Sequence, residues 1–101
     1  MVTIRETDYF KKWIRGLKDQ VAQAIITARI RRISGSNFGN VKPVGDNISE
    51  LRIDYGPGYR VYFQDTGKEI IILLCGGDKS TQSKDIKAAK KIAKEYRGDM
   101  I

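Results

Sequence analysis

The sequence predicts an α+β fold in the order β-α-α-β-β-β-α: an N-terminal strand and α-hairpin packed on an antiparallel sheet, then a C-terminal helix. Three observations carry this expectation. Apolar residues recur at helical spacing from Phe10 to Ile33, they alternate with polar ones from Ser49 to Gln64, and the helical period returns after Gly76-Gly77.

Taken in order, Val2 to Arg5 alternates weakly and reads as a short first strand. Asp8 is placed to cap a helix carrying Phe10, Trp13, Ile14 and Leu17 on one side, which Gly16 interrupts. A second helix runs from about Asp19 to Ile33, with Val21, Ala22, Ile25, Ile26, Ile30 and Ile33 in register, so that the two form an α-hairpin. Arg29 falls inside that apolar arc and reads as a snorkelling or internally paired side chain. Ser34-Gly35-Ser36-Asn37-Phe38-Gly39-Asn40 is a turn-rich break. Val41 to Val44 is short, and Pro43 makes it an edge strand or an extended lead-in. From Ser49 to Asp54, Leu51 and Ile53 face one way and Glu50, Arg52 and Asp54 the other. Tyr55-Gly56-Pro57-Gly58 is a turn. From Tyr59 to Gln64, Tyr59, Val61 and Phe63 oppose Arg60, Tyr62 and Gln64, and Asp65-Thr66-Gly67-Lys68 makes a hairpin turn. Glu69 to Cys75 is apolar on both faces, as in a central strand covered on both sides. Ser80 then suits an N-cap, Ile86, Ala89, Ala93 and Tyr96 form an apolar stripe, and Lys84, Lys87, Lys90, Lys91 and Lys94 crowd the rest of the surface.

The length, 101 residues, leaves room for one domain spanning residues 1–101. Such a domain buries about two-thirds of its unfolded surface, enough for a core without disulfides or metals. Lys and Arg number 19 against 12 Asp and Glu, a net charge of +7, which draws polyanions or an acidic partner. Cys75 is the single cysteine and lies in an apolar run, which reads as a buried structural thiol suited to a reducing cytoplasm. The N-terminus has no signal-peptide core and no segment is apolar enough to span a membrane, so a cytoplasmic protein without a membrane partner is expected. Histidine is absent, which excludes His-based triads, His-metal sites and imidazole acid–base pairs. Chemistry must rest on Arg, Lys, Tyr, Asp, Glu or backbone groups, and no metal or cofactor is expected.

The polar side of the two central strands is where chemistry can gather. Arg52 and Arg60 come near each other across the Gly56-Pro57-Gly58 turn, and Tyr62 stands two residues further along. The loop from Gly76 to Thr81 brings Lys79 and the free N–H groups of a helix start to the same rim. Two guanidiniums, an ammonium and a helix N-terminus suit a phosphodiester, and Tyr62 is an aromatic that can stack on an unpaired base. Alternation by itself favours a plainer reading, a solvated sheet face on which Glu50, Arg52, Asp54 and Arg60 form cross-strand ion pairs. Gly76-Gly77 reads equally as an ordinary strand-to-helix turn, and the G-x-x-x-x-G-K-[ST] spacing of a nucleotide loop is absent.

The run Ser49-Glu50-Leu51-Arg52-Ile53-Asp54-Tyr55-Gly56-Pro57-Gly58-Tyr59-Arg60-Val61-Tyr62-Phe63 resembles the "LR…YRVxY" double strand of RelE/ParE-type toxins. Leu73 to Gln82, with Asp85-Ile86 and Ala89, is similar to the HigB-like subfamily of addiction-module killer proteins; with Asn37-Phe38-Gly39 and Lys42-Pro43-Val44 the likeness covers nearly the whole chain. The resemblance implies the toxin of a type II toxin–antitoxin system, a metal-independent endoribonuclease that cleaves mRNA in the ribosomal A site. It implies a cognate helix-turn-helix antitoxin as partner, and a toxin that is monomeric or held in a toxin–antitoxin hetero-oligomer. The relatives' phosphate-handling cations match Arg52, Arg60 and Lys79 here. Arg60 then makes the principal phosphate contact, with Glu50, Asp78 or a lysine as candidate base; Tyr62, Ser80, Thr81, Lys84 and Lys87 are the expected RNA contacts. Some relatives supply histidine or tyrosine as acid or base. This chain has no histidine, and Asp85 stands where one relative carries tyrosine. Two other functions stand beside this one: a ParE-like poison of DNA gyrase, which would leave Arg52 and Arg60 as sheet-surface residues, and a non-catalytic nucleic-acid-binding or antitoxin-titrating module.

Overall fold

The periodicities resolve into a sheet with a helical layer on each face. The computed structural model describes residues 2–34 and 39–99. Among these, β1 (Thr3–Glu6) leads into α1 (Asp8–Arg15) and α2 (Gln20–Ser34), four strands follow, β2 (Val41–Gly45), β3 (Ile48–Ile53), β4 (Tyr59–Asp65) and β5 (Ile70–Asp78), and a 3₁₀ turn (Lys79–Thr81) opens α3 (Gln82–Asp99). The strand order is β1-β5-β4-β3-β2. The Gly35-Ser36-Asn37-Phe38 part of the expected turn lies outside the described residues. No described helix is long and apolar enough to cross a membrane.

The four strands β2 to β5 meander antiparallel, as expected, but β1 runs parallel to β5, so the sheet is mixed. The cause is the α-hairpin, which carries the chain across one face between the β1 edge and the β2 edge. Val41 to Val44 is a true edge strand, and Pro43 sits where a missing N–H is tolerated.

Two caps differ from the expected ones. Thr7, not Asp8, caps α1: its hydroxyl accepts from the Phe10 N–H at 3.1 Å and donates to the Leu74 carbonyl at 2.6 Å, so one buried side chain ends a strand and starts a helix. Asp78, not Ser80, caps the turn before α3, because it is the last residue with extended backbone and its carboxylate meets the Ser80 N–H at 2.8 Å.

Alternation puts one core on each face of the sheet. Leu51, Ile53, Val61, Phe63, Ile71 and Leu73 meet Phe10, Ile26, Ile30 and Ile33 of the hairpin. On the opposite face Ile48, Tyr62, Ile72, Leu74 and Cys75 meet Ala89, Ile92 and Ala93 of α3. At about 1.5–3 kcal/mol per fully buried large apolar side chain, these two clusters are the main source of stability. Arg29 is half-buried, and its guanidinium packs over Gly39, which holds φ +64°. Cys75 is buried; burial first, and the negative charge of Asp85 second, push its thiol up to about 12, consistent with a structural role.

β5 is longer than its apolar run. It carries one extra residue between the Tyr62–Cys75 and Phe63–Leu73 pairs, so Leu74 and Cys75 both turn toward α3, and the strand continues through Gly76 and Gly77 to Asp78. The glycines are therefore strand residues rather than a turn. A methyl on Gly76 would overlap the Trp13 ring, and one on Gly77 would overlap the Asp85 carboxylate. Close approach of a neighbour on each face is what selects glycine twice. Because the Trp13 ring is rigid and packed against the core, Gly76→Ala is expected to lower stability by about 1–3 kcal/mol, read as a reduced urea midpoint at unchanged slope.

Candidate functional site

The antiparallel register brings the polar residues of the central strands into rows. Arg52 of β3 lies opposite Arg60 of β4, and Arg60 opposite Gly77 of β5. The next row on the same face is Glu50, Tyr62 and Cys75. Sequence alternation anticipates this face, but its openness is corrected: α3 lies over it, because Ile86, Ala89, Ile92, Ala93 and Tyr96 need apolar cover. A solvated ladder of ion pairs is replaced by a buried network.

Glu50 is the hub. It is 0 % exposed, and four donors engage its two oxygens. Oε1 accepts from Arg52 Nε at 2.9 Å and from Arg60 at 3.1 Å; Oε2 accepts from the Tyr62 hydroxyl at 3.0 Å and from Gln82 Nε2 at 3.0 Å. Taking an ion pair out of water costs several kcal/mol per ion, whereas hydrogen bonds to a charged group return about 1.5–3 kcal/mol each, so only a full donor set makes this burial tenable. Burial alone would raise the Glu50 pKa, but the donors Arg52, Gln82 and Tyr62 and the charge of Arg60 outweigh it and hold the carboxyl below the usual range. Glu50 is therefore an anion whose oxygens are already occupied, which is poor provision for a base.

Of the two guanidiniums, Arg60 is largely covered, its side chain 11 % exposed, while Arg52 is 34 % exposed. Arg52 uses Nε toward Glu50 and keeps the more accessible guanidinium of the two. Lys79 is exposed and packs beside the β3–β4 turn, where a methyl on Gly58 would touch its Cβ at 3.5 Å. Tyr62 is corrected: at 0 % exposure, with its hydroxyl on Glu50, it offers no ring face for base stacking. Burial and the Glu50 carboxylate both raise its pKa, so it stays a protonated donor.

Asp78 spends its carboxylate on capping. Its oxygen takes both the N–H and the hydroxyl of Ser80, and the side-chain bond first, the backbone bond second, lower its pKa. Thr81 donates its hydroxyl to Asp85, whose carboxylate lies over Gly77. Ser80, Thr81, Lys84 and Lys87 are exposed around the start of α3. The structure thus gathers Arg52, Arg60, Glu50 and Tyr62 in one network, with Lys79 beside the turn that joins the strands. Sequence reasoning missed Gln82, since a glutamine in a helical first turn carries no signal for a contact 32 residues upstream. It also missed what Gly77 makes room for, although two successive glycines in a strand pattern signal a close approach.

The profile of the family described as Phage derived protein Gp49-like (DUF891) matches residues 8–97. A protein of Haemophilus influenzae, described only as uncharacterized, is 53% identical over 94 residues, 93% of this chain and 95% of the relative. Among solved structures, a chain of the intact E. coli RelBE toxin–antitoxin complex superposes with a TM-score of 0.62 at 12% identity, covering 77% of this chain and 96% of that one. A chain of the RelBE2 toxin–antitoxin complex from Mycobacterium tuberculosis gives 0.59 at 17% identity, covering 77% and 98%. The fold is thus the RelE type that the strand motif resembles.

The network makes stability depend on acid. With its folded-state pKa held below the ordinary 4.5, Glu50 contributes stability above that pH and loses it as the pH falls through the depressed value. The surface carboxylates Asp19 and Asp78 are lowered in the same direction, so a variant must isolate the hub. Glu50→Gln is expected to cost about 3–5 kcal/mol at neutral pH by leaving Arg60 without its anion. It should also flatten the loss of stability between pH 5 and lower values, both read by denaturant titration across pH.

Proposed function

The chain belongs to the phage-derived Gp49-like family, and we propose that it is the toxin of a type II toxin–antitoxin pair that cleaves mRNA on the ribosome. The observation that carries this reading is the paired guanidiniums of Arg52 and Arg60, two positive charges set against the single carboxylate of Glu50. Glu50 offsets one of these charges and the Asp85 carboxylate over Gly77 stands in the same row, so the excess positive charge at this rim is completed by the exposed Lys79, Lys84 and Lys87. A fixed cationic patch suits a phosphodiester whose charge grows in the transition state.

In the proposed reaction the ribose 2′-hydroxyl attacks the adjacent phosphorus, the bond to the 5′-oxygen breaks, and the products are a 2′,3′-cyclic phosphate and a free 5′-hydroxyl. The nucleophile belongs to the substrate, so positioning and charge do most of the work and no metal is invoked. Because Arg60 is largely covered, the principal phosphate contact is proposed for the more accessible Arg52, with Arg60 adding to the local field. Lys79 and the exposed Ser80, Thr81, Lys84 and Lys87 are the proposed RNA contacts. Glu50 is proposed as the group that orients both arginines, not as the base.

The toxin–antitoxin complexes named for the structural neighbours support an antitoxin partner here as well, in this proposal a helix-turn-helix protein encoded beside the toxin. The HigB-like killer-protein assignment, the cytoplasmic location and a single domain over residues 1–101 belong to the same proposal. Induction in a bacterial host followed by RNA-end mapping is the test. Cuts at defined positions within translated codons are expected, and Arg52→Ala or Arg60→Ala should reduce them by about 100-fold or more and relieve growth arrest. Trapped gyrase–DNA breaks without codon-linked cuts would overturn the nuclease reading in favour of a gyrase poison.

A further inference from the structure

The reaction proposed above needs a group to take the 2′-hydroxyl proton, and the carboxylates nearest the arginine pair differ sharply in what they have left to offer. Glu50 is saturated by four donors. Asp78 is committed to the backbone and hydroxyl of Ser80. Asp54 lies beyond Ile53, the last residue of β3 paired with β4.

Asp85 is placed differently. It is half-exposed in the first turn of α3, and its carboxylate reaches down to the sheet so closely that Gly77 has no room for a methyl. Gly77 is the residue opposite Arg60, which is opposite Arg52. Arg52, Arg60 and the Asp85 carboxylate over Gly77 therefore occupy one row across three strands, a span of about 10 Å at the usual strand spacing. Oδ2 takes the Thr81 hydroxyl, which orients the half-exposed carboxylate. Its charge is felt at both Tyr62 and Cys75, the neighbours in the next row.

We propose that Asp85 is the catalytic base, in a role that rests on the endonuclease reading: it sits at one end of the row whose other end binds the phosphate. Its carboxylate accepts the 2′-hydroxyl proton as the bond from that oxygen to phosphorus forms. The bond from phosphorus to the 5′-oxygen breaks with its electron pair, the 5′-oxygen takes a proton from water, and Asp85 returns its own proton to solvent. Gly77 is the residue that makes this possible, since any side chain there would lift the carboxylate off the row.

Two variants test the assignment without removing the fold. Asp85→Asn keeps the shape and still accepts from Thr81. Gly77→Ala leaves Asp85 chemically intact but displaces its carboxylate, a flexible group that can move aside. The assay is single-turnover cleavage of a defined mRNA on purified ribosomes, beside the affinity of the toxin for ribosomes carrying the same mRNA with a 2′-deoxy nucleotide at the cut. Both variants are expected to cleave about 100-fold or more slowly while binding the deoxy complex within about twofold of wild type. Cleavage by Asp85→Asn within about threefold of wild type overturns the assignment and leaves the endonuclease reading standing. So does a loss of binding that matches the loss of cleavage, which would make Asp85 a binding or structural residue. If the wild-type protein cuts no ribosome-bound mRNA, the endonuclease reading fails and the role of Asp85 with it.

Discussion

Glu50 is a charge buried at the centre of a sheet, and much of the molecule is arranged to keep it there. Its four donors come from three separate elements: Arg52 on its own strand, Arg60 and Tyr62 on β4, and Gln82 at the start of α3. The same hydrogen bonds pin β3 to β4, seat α3 on the sheet and hold two guanidiniums side by side. Like charges would otherwise repel at cross-strand distance. A single anion between them turns that repulsion into a rigid cationic pair, at an energetic cost that only complete hydrogen bonding offsets. The fold and the candidate site therefore share one interaction.

A second constraint is the phase of β5. Its extra residue at Leu74 turns Leu74 and Cys75 to the same side and shifts every later residue by one. Gly76 consequently falls beneath Trp13, and Gly77 beneath Asp85 in the row of the arginines. The bulge is itself held in place, since the carbonyl of Leu74 accepts the Thr7 hydroxyl that also caps α1. A local irregularity in one strand thus sets which face each glycine serves, and ties the α-hairpin to the geometry of the opposite face.

The basic excess is not spread evenly. α3 turns its apolar stripe onto the sheet and leaves Lys84, Lys87, Lys91 and Lys94 exposed. Two of its acidic residues are turned to other tasks, Asp85 over Gly77 and Glu95 toward the Tyr9 hydroxyl. The apolar stripe packed on the sheet and the lysine-covered face are the two sides of this one amphipathic helix. An anionic partner approaching α3 meets positive charge that continues toward Lys79 and Arg52.

Local rules governed what was legible in the chain alone. Helical and strand periods located the α-hairpin, β3, β4, the core of β5 and α3 to within a few residues, because side-chain period follows directly from backbone geometry. The facing of Arg52 and Arg60 followed from the same alternation and a short turn. The parallel pairing of β1, the caps at Thr7 and Asp78, and the length of β5 did not, since each depends on contacts between segments far apart in sequence. Burial was the largest thing hidden. Glu50, Arg60 and Tyr62 look like the polar side of an open sheet until α3 is laid across them. The sequence by itself determined which residues share a face. Only the tertiary structure decided that this face is roofed, that Glu50 is a saturated anchor and Tyr62 a donor, and that Asp85 stands in the arginine row. Alternation specifies direction, whereas solvent exposure and hydrogen-bond occupancy are set by what packs on top.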